Sequence, residues 1–356
     1  MFKSKTKNKK KRLRQLGIFL FVFFILVVFV VSLLYFPCRK DFRDPVAVVV
    51  EKGEKLITIS EKFKNEKAIC WKWPFFFSAV VMRLKGKVPQ AGTYLFPPGT
   101  TIVDAVRMLF KGETLKYKIT VLEGWSLKEI GEELERQGIV SKEEFYKASG
   151  APVCGGGWEC PPLKGIAEKF DFLQEKPENL NLEGYLFPDT YEIAANETAE
   201  TIVKKMLVNF EKQVVKSEIS KEAQRKGKSL FQVLKMASLL EKEASNYEER
   251  RLIAGILWKR LENDWPLQVD ASLSYAVGRG SRRLTKKDLN SDSPYNTYKW
   301  RGLPLTPICN PSLKSIKAAV YYKESPYWFY LAEPGGKTVF SRTLREHNYN
   351  KRKFLD

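Results

Sequence analysis

Residues Leu16 to Phe36 form an almost uninterrupted apolar run of Phe, Val, Leu and Ile, and this run constrains the chain more than any other feature. About twenty such residues are enough to cross a bilayer as a helix. Lys3, Lys5, Lys7, Lys9, Lys10, Lys11, Arg12 and Arg14 stand before it. The positive-inside rule then places residues 1–15 in the cytoplasm as a basic tail and everything after Phe36 outside. A cleaved signal peptide is the rival reading, but its apolar region is usually shorter and ends in a small-residue cleavage site. Here the run ends in Tyr35, Phe36, Pro37 and Cys38, which offers no such site and makes a poor lipoprotein box. The expectation is an uncleaved, single-pass signal-anchor over residues 16–36.

About 320 residues follow the anchor, enough for two domains. The formal net charge is +20, and the outer part stays positive once the tail is set aside. Outside a cell, that balance suits an anionic surface such as the cell wall or lipid headgroups. No zinc spacing or RNP-type aromatic motif points to nucleic acid. The five cysteines do not suggest a disulfide framework. Cys38 sits at the membrane edge, Cys70 and Cys309 are isolated, and Cys154 and Cys160 bracket a Gly-rich loop that could close on itself in an oxidising compartment. The lone histidine, His347, leaves little basis for a metal site or a Ser/His/Asp assembly, and a single His near a C-terminus is more often structural. No Walker or dinucleotide glycine motif occurs, so no cofactor is expected.

The outer chain reads as two α+β units. In the first, VAVVVEKGEKL predicts a strand and a turn at Gly53, and Lys55 to Lys64 predicts a short helix. Phe75 to Leu84 is apolar enough for a helix or a buried segment. A strand over Thr93 to Phe96 meets a Pro97-Pro98-Gly99 turn, and a helix follows from Ile102 with Thr100 or Thr101 as N-cap and Gly112 as its stop. The second unit starts near Lys118 with a strand, a turn at Gly124, and a helix opened by a capping box of Ser126 and Glu129. A long helix is expected over Glu200 to Val215. Pro266 to Gly278 has no clean period. Ser293 to Ser312 is Pro-rich and aromatic. Leu313 to Tyr322 reads as helix, and Trp328 to Ala332 with Thr338 to Phe340 as a closing hairpin. Tyr295, Tyr298 and Trp300 suit sugar stacking, although such residues equally pack cores.

The segment ASLLEKEASNYEER, from Ala237, carries the clearest chemistry. It places Glu241 and Glu243 on an amphipathic helix, followed by a polar break and a second helical run, IAGILWKRL, from Ile253. Acids among apolar residues must be paired, hydrogen-bonded or protonated, and so are candidates for acid/base work. At 3.6 residues per turn the two point about 200° apart and cannot share one cleft on a regular helix. The apolar stripe through Leu230, Val233, Leu234, Ala237, Leu240 and Ala244 is centred on Glu241, so periodicity nominates Glu241 as the buried acid.

Several segments in order resemble the membrane-anchored endolytic murein transglycosylases (the MltG or YceG-like family). They are AGTYLFPPGT at Ala91, VLEGWSLKEI at Val121, EGYLFPDTY at Glu183, MASLLEKEA at Met236, LQVDASLSYAVG at Leu267, YNTY at Tyr295, GLPLTPICNPS at Gly302, and the Phe340…His347-Asn348 ending. The resemblance implies a LysM-like module over 44–118 and a catalytic domain over 119–356. It implies cleavage of the MurNAc–GlcNAc β-1,4 bonds of peptidoglycan without added water, leaving 1,6-anhydro-MurNAc ends. It nominates Glu243 as the catalytic acid, with Glu241 supporting through Arg250, Arg251 or Arg260. It also implies a bacterial cell (inner) membrane location and a role beside membrane-bound synthases that terminates nascent strands. Gln268, Asp270, Tyr295 and Asn296 are the candidates for positioning sugar, with no metal. Two departures stand out: Ala271 follows Asp270 where the family often has Pro, and CGGGWEC looks like a local insertion. The competing readings are a non-catalytic wall-binding scaffold and a two-carboxylate muramidase using Glu243 and Asp270.

Overall fold

The computed structural model describes residues 2–37, 44–153, 165–166, 169–278, 284–333 and 336–355, with side chains from residue 14 onward in the first helix. Cys38 and the Cys154–Cys160 loop lie outside the described residues. The chain divides into one unit of Met1–Tyr117 with Ala194–Asn196 and another of Lys118–Ile193 with Glu197–Asp356.

The first unit opens with α1 (Phe2–Tyr35). Its segment Arg14–Tyr35, 22 residues of mean hydropathy 3.2, is long and apolar enough to cross a membrane. Described side chains of α1 are exposed except Leu33 and Leu34 in the last turn. β1 (Val46–Val50), α2 (Leu56–Asn65), α3 (Lys72–Leu84), β2 (Gly92–Phe96) and α4 (Ile102–Lys111) follow. β2 lies antiparallel to β1, with Val46 opposite Phe96 and Val50 opposite Gly92. Phe63, Phe75, Tyr94, Phe96 and Leu109 fill the small core. Thr101 caps α4 in a reciprocal box with Asp104, and Gly112 ends it at φ +71°. Only Gly takes that left-handed conformation at no steric cost. Of the two readings of the segment around Phe75, the helix is the one observed, and only Phe75 and Ala79 of its residues are buried. One expectation needs correction. Cys70 is not isolated: it is disulfide-bonded.

In the second unit, β3 (Lys116–Thr120) leads to α5 (Leu127–Arg136) and α6 (Lys142–Ser149), and β4 (Thr190–Ala194) pairs with β3. α7 (Ala199–Phe210) continues into a π-helical turn over Glu211–Val215, then α8 (Glu218–Arg225). α9 (Leu230–Glu243) and α10 (Tyr247–Glu262) come next, followed by α11 (Asp270–Val277) and α12 (Lys286–Leu289). α13 (Leu313–Val320), the hairpin of β5 (Phe329–Ala332) and β6 (Thr338–Ser341), and α14 (Leu344–Phe354) close the chain.

α9 is the centre of this unit. Ser229 and Gln232 form its capping box, and almost every residue from Leu230 to Leu240 is buried. A helix apolar nearly all round needs packing on several sides, and α10, α11 and α13 supply it. α10 starts earlier than the apolar run at Ile253 suggests, because Asn246 caps it by accepting from the Glu248 and Glu249 amides. α11 appears where no period was legible. It is eight residues long and buries only Ser272 and Leu273, too little to print a helical stripe.

Candidate active site

The two acids of α9 have opposite surroundings. Glu241 points inward, its side chain 7 % exposed. One oxygen accepts from Arg250 Nη2 at 3.0 Å; the other accepts from the Ser312 amide at 2.8 Å and its hydroxyl at 2.6 Å. Arg250 also donates to the Ala244 carbonyl at 2.6 Å and to Ser312 Oγ at 3.1 Å. Glu241 is therefore the buried acid that periodicity points to, but it is spent on tying α9 to α10 and to the N-cap of α13. Neither alternative partner takes part: Arg251 pairs with Glu248, and Arg260 donates to the carbonyls of Leu267 and Trp328.

Glu243 is the last residue of α9, because Ala244 is extended at φ −150°. It opens onto a cleft of about 720 Å³ whose walls include Ser126, Lys242, Asp270, Tyr275 and Ile308. It keeps some exposure along that cleft, yet the protein around its carboxyl is dense. Desolvation pushes its pKa up to about 7, the negative charge of Asp270 adds to this, and a hydrogen bond from the Tyr330 phenol opposes it. The carboxylate also sits at the negative end of the α9 dipole, which acts in the same upward direction. Burial drives the Tyr330 hydroxyl far above its ordinary range, so it remains a donor. Tyr298 donates to Asp270 Oδ1, and burial, then Asp270, raises its phenol likewise. Arg260 bonds the carbonyls of Leu267, before Asp270, and Trp328, before Tyr330. One guanidinium from α10 thus braces both segments that face Glu243.

A second buried acid was not among the expected site residues. Glu183 has no exposed surface, and desolvation raises its pKa to about 8. It accepts from the Leu127 amide, the Tyr275 hydroxyl at 2.9 Å and Asn310 Nδ2 at 3.2 Å. Asn310 Oδ1 in turn accepts from the Gly184 and Leu186 amides, and its Nδ2 also donates to the Trp125 carbonyl. Gly184 is at φ +87°, and a Cβ there would stand 2.6 Å from Pro307. The segments around Trp125, Glu183 and Asn310 are thereby locked together behind Tyr275, a wall of the cleft. A carboxyl in the aromatic run EGYLFPDTY, beside a glycine, was the available signal.

The remaining candidates separate. Asp270 is exposed at the start of α11 and lines the cleft. Gln268 is exposed and held at φ +56°, its amide donating to the Thr297 carbonyl at 3.0 Å. Non-glycine residues rarely adopt that conformation, and it collects at functional sites. Tyr295 is 1 % exposed, with its hydroxyl 2.8 Å from Thr306 Oγ1 and its ring 5.3 Å from that of Tyr275. Asn296 is fully buried, donating to the Leu289 and Ser291 carbonyls and accepting from the Tyr298 and Lys299 amides. The structure does not bring Tyr295 and Asn296 to the cleft. They hold the loop on which Tyr298 stands. His347 is nearly buried and stacks on Phe329 at 5.2 Å.

The model of the YceG-like family matches residues 48–353. The chain belongs to this family. It is 32% identical over 328 residues to the endolytic murein transglycosylase of Bacillus subtilis, covering 90% of this chain and 87% of that one. It is 28% identical over 332 residues to the protein of the same name from Streptococcus pneumoniae, covering 88% of this chain and 59% of that one. A crystal structure of a YceG-like protein from Listeria monocytogenes is similar at 29% identity and a TM-score of 0.57, over 87% of this chain and all of that one.

In this YceG-like chain Glu243 is a carboxyl that can both give and take a proton near neutral pH. Tyr330→Phe removes a hydrogen bond that favours its ionised form. A bond to a charged group contributes about 1.5–3 kcal/mol, so the Glu243 pKa is expected to rise by about 1 unit or more. The alkaline limb of the pH–rate profile should move up by that amount. An unmoved limb in Tyr330→Phe would remove Tyr330 from the account.

Proposed function

We propose that this chain is a membrane-anchored endolytic lytic transglycosylase that cleaves the MurNAc–GlcNAc β-1,4 bonds of peptidoglycan. The observation that carries this reading is Glu243, an acid with a pKa of about 7 at the edge of an open cleft, in a chain whose relatives bear that name. Protonated Glu243 donates to the glycosidic oxygen as the C1–O bond breaks toward an oxocarbenium-like state. The resulting carboxylate takes the proton of the C6 hydroxyl as that oxygen bonds to C1. The acid is restored, no water is consumed, and the product carries a 1,6-anhydro-MurNAc end. Two-carboxylate glycosidases need a second group to activate water or to act as nucleophile; an internal hydroxyl makes it dispensable. Asp270 then serves to keep Glu243 protonated and to face the developing positive charge. Gln268 and Asp270 position sugar from the rim of the cleft.

The anchor reading rests on the length and composition of Arg14–Tyr35. With the basic tail in the cytoplasm, the first unit, read as a LysM-like module, and the second, catalytic unit stand on the outer face of the bacterial cell membrane. There nascent glycan emerges beside membrane-bound synthases, and cleavage would terminate strands.

Mass spectrometry of peptidoglycan digested by wild type and by Glu243→Gln tests the reading. Internal fragments with anhydro ends, each one water lighter than the hydrolytic product, are expected from wild type only. Reducing-end fragments carrying oxygen from labelled water would instead make Asp270 the second carboxylate of a muramidase. Glycan binding without cleavage by wild type would make the chain a wall-binding scaffold.

A further inference from the structure

One face of the first unit is apolar and uncovered. Trp73, Phe77, Val81 and Leu84 succeed one another at helical spacing, so a single stripe runs along α3, and the exposed Val88 follows just past its end. They are 56, 61, 49, 82 and 66 % exposed. The opposite side of α3, through Phe75 and Ala79, is the one that packs. The Trp73 and Phe77 rings stack on each other at 6.1 Å, and each meets Phe76 edge-on while keeping its outer face uncovered. A continuous exposed stripe of this kind marks an interaction surface.

Position and charge say what covers it. Only Leu33 and Leu34 are part-covered among the described side chains of α1, and Leu34 packs on the same core as Phe76 and Val80 of α3. α3 therefore lies beside the last turn of the apolar helix, inside one unit. Packed helices lie about 8–10 Å apart, so if α1 spans a bilayer, α3 is held at the level of its headgroups. Lys72 to Pro89 contains no Asp or Glu, while Arg83, Lys85 and Lys87 flank the stripe and are exposed. Trp and Phe on one side with Lys and Arg beside them is the composition of a helix lying in a membrane interface, where anionic headgroups attract the basic groups.

We propose that α3 lies in the outer headgroup layer of an anionic bilayer, with the Trp73–Val88 stripe turned into the upper acyl region. The proposal rests on the reading of α1 as a membrane anchor. It makes the first unit a body seated on the lipid surface through two elements rather than hung from one.

The full chain, reconstituted in vesicles of phosphatidylglycerol and phosphatidylcholine, tests it by quenching with 6,7-dibrominated lipid. The emission lost in Trp73→Phe isolates Trp73. Loss of most of that emission in brominated vesicles is the expected result, and Phe77→Ser/Leu84→Ser should relieve it. Vesicle flotation with a Trp73 component that is unquenched and red-shifted would overturn the proposal and leave the anchor standing. An unquenched but blue-shifted component that depends on protein density would overturn it in favour of a second copy of the chain on this face. Failure of the chain to float with the vesicles would sink the anchor reading, and the proposal with it.

Discussion

Glu243→Gln is expected to lower the rate of glycan cleavage by about 10²–10⁴-fold, the range that general acid–base catalysis contributes. Gln keeps the shape of the side chain and can still accept from Tyr330, so glycan binding should be retained. Folding should not suffer either, and the pH dependence gives the sign. The folded pKa of about 7 lies above the ordinary carboxyl value of 4.5. The stability contributed by neutral Glu243 is fully present below about pH 4.5 and is lost as pH climbs through 7. The Gln variant should therefore match wild type near pH 4 and exceed it in denaturation midpoint at pH 8. A variant that loses activity together with its fold at pH 8 would assign Glu243 to structure instead.

Glu241→Ala is expected to do the reverse. It leaves Arg250, 8 % exposed on its side chain, without its counter-charge and strips the Ser312 amide and hydroxyl of their acceptor. Breaking a buried ion pair by removing one partner costs about 3–5 kcal/mol. In a unit of this size that lowers the thermal midpoint by about 10 °C. Circular dichroism in detergent reads this directly. The fraction that remains folded should retain turnover, because Glu241 has no surface on the cleft. A Glu241→Ala chain with a wild-type midpoint and no activity would exchange the two glutamates' roles.

The contrast shows what the chain lets a reader see. Inward facing of Glu241 follows from the helical period, because Leu230, Val233, Leu234, Ala237 and Leu240 of its stripe are all buried. The N-cap at Thr100 or Thr101, which falls on Thr101, the capping box at Ser126 and the closing hairpin were legible because each is set by a few neighbouring residues. The surroundings of Glu243 were not. Its proton is governed first by desolvation, then by Tyr330 and Asp270, both distant in sequence, where α9 ends abruptly at Ala244. No local pattern announces a tyrosine in FYLA as the donor to an acid on another element. Glu183 was missed for the same reason: its partners Leu127, Tyr275 and Asn310 come from three separate segments. Tyr295 and Asn296 misled in the opposite direction, since polar and aromatic residues that suit sugars also serve to brace a loop. The α3 segment was read as helix or buried, and hydropathy alone cannot tell an inward apolar face from one turned to lipid.

Arg260 holds the β5 strand through the Trp328 carbonyl, and that strand brings Tyr330 to Glu243. A change that loosens β5 therefore withdraws the bond that favours the ionised carboxyl, so a guanidinium that does not touch Glu243 sets how tightly its proton is held.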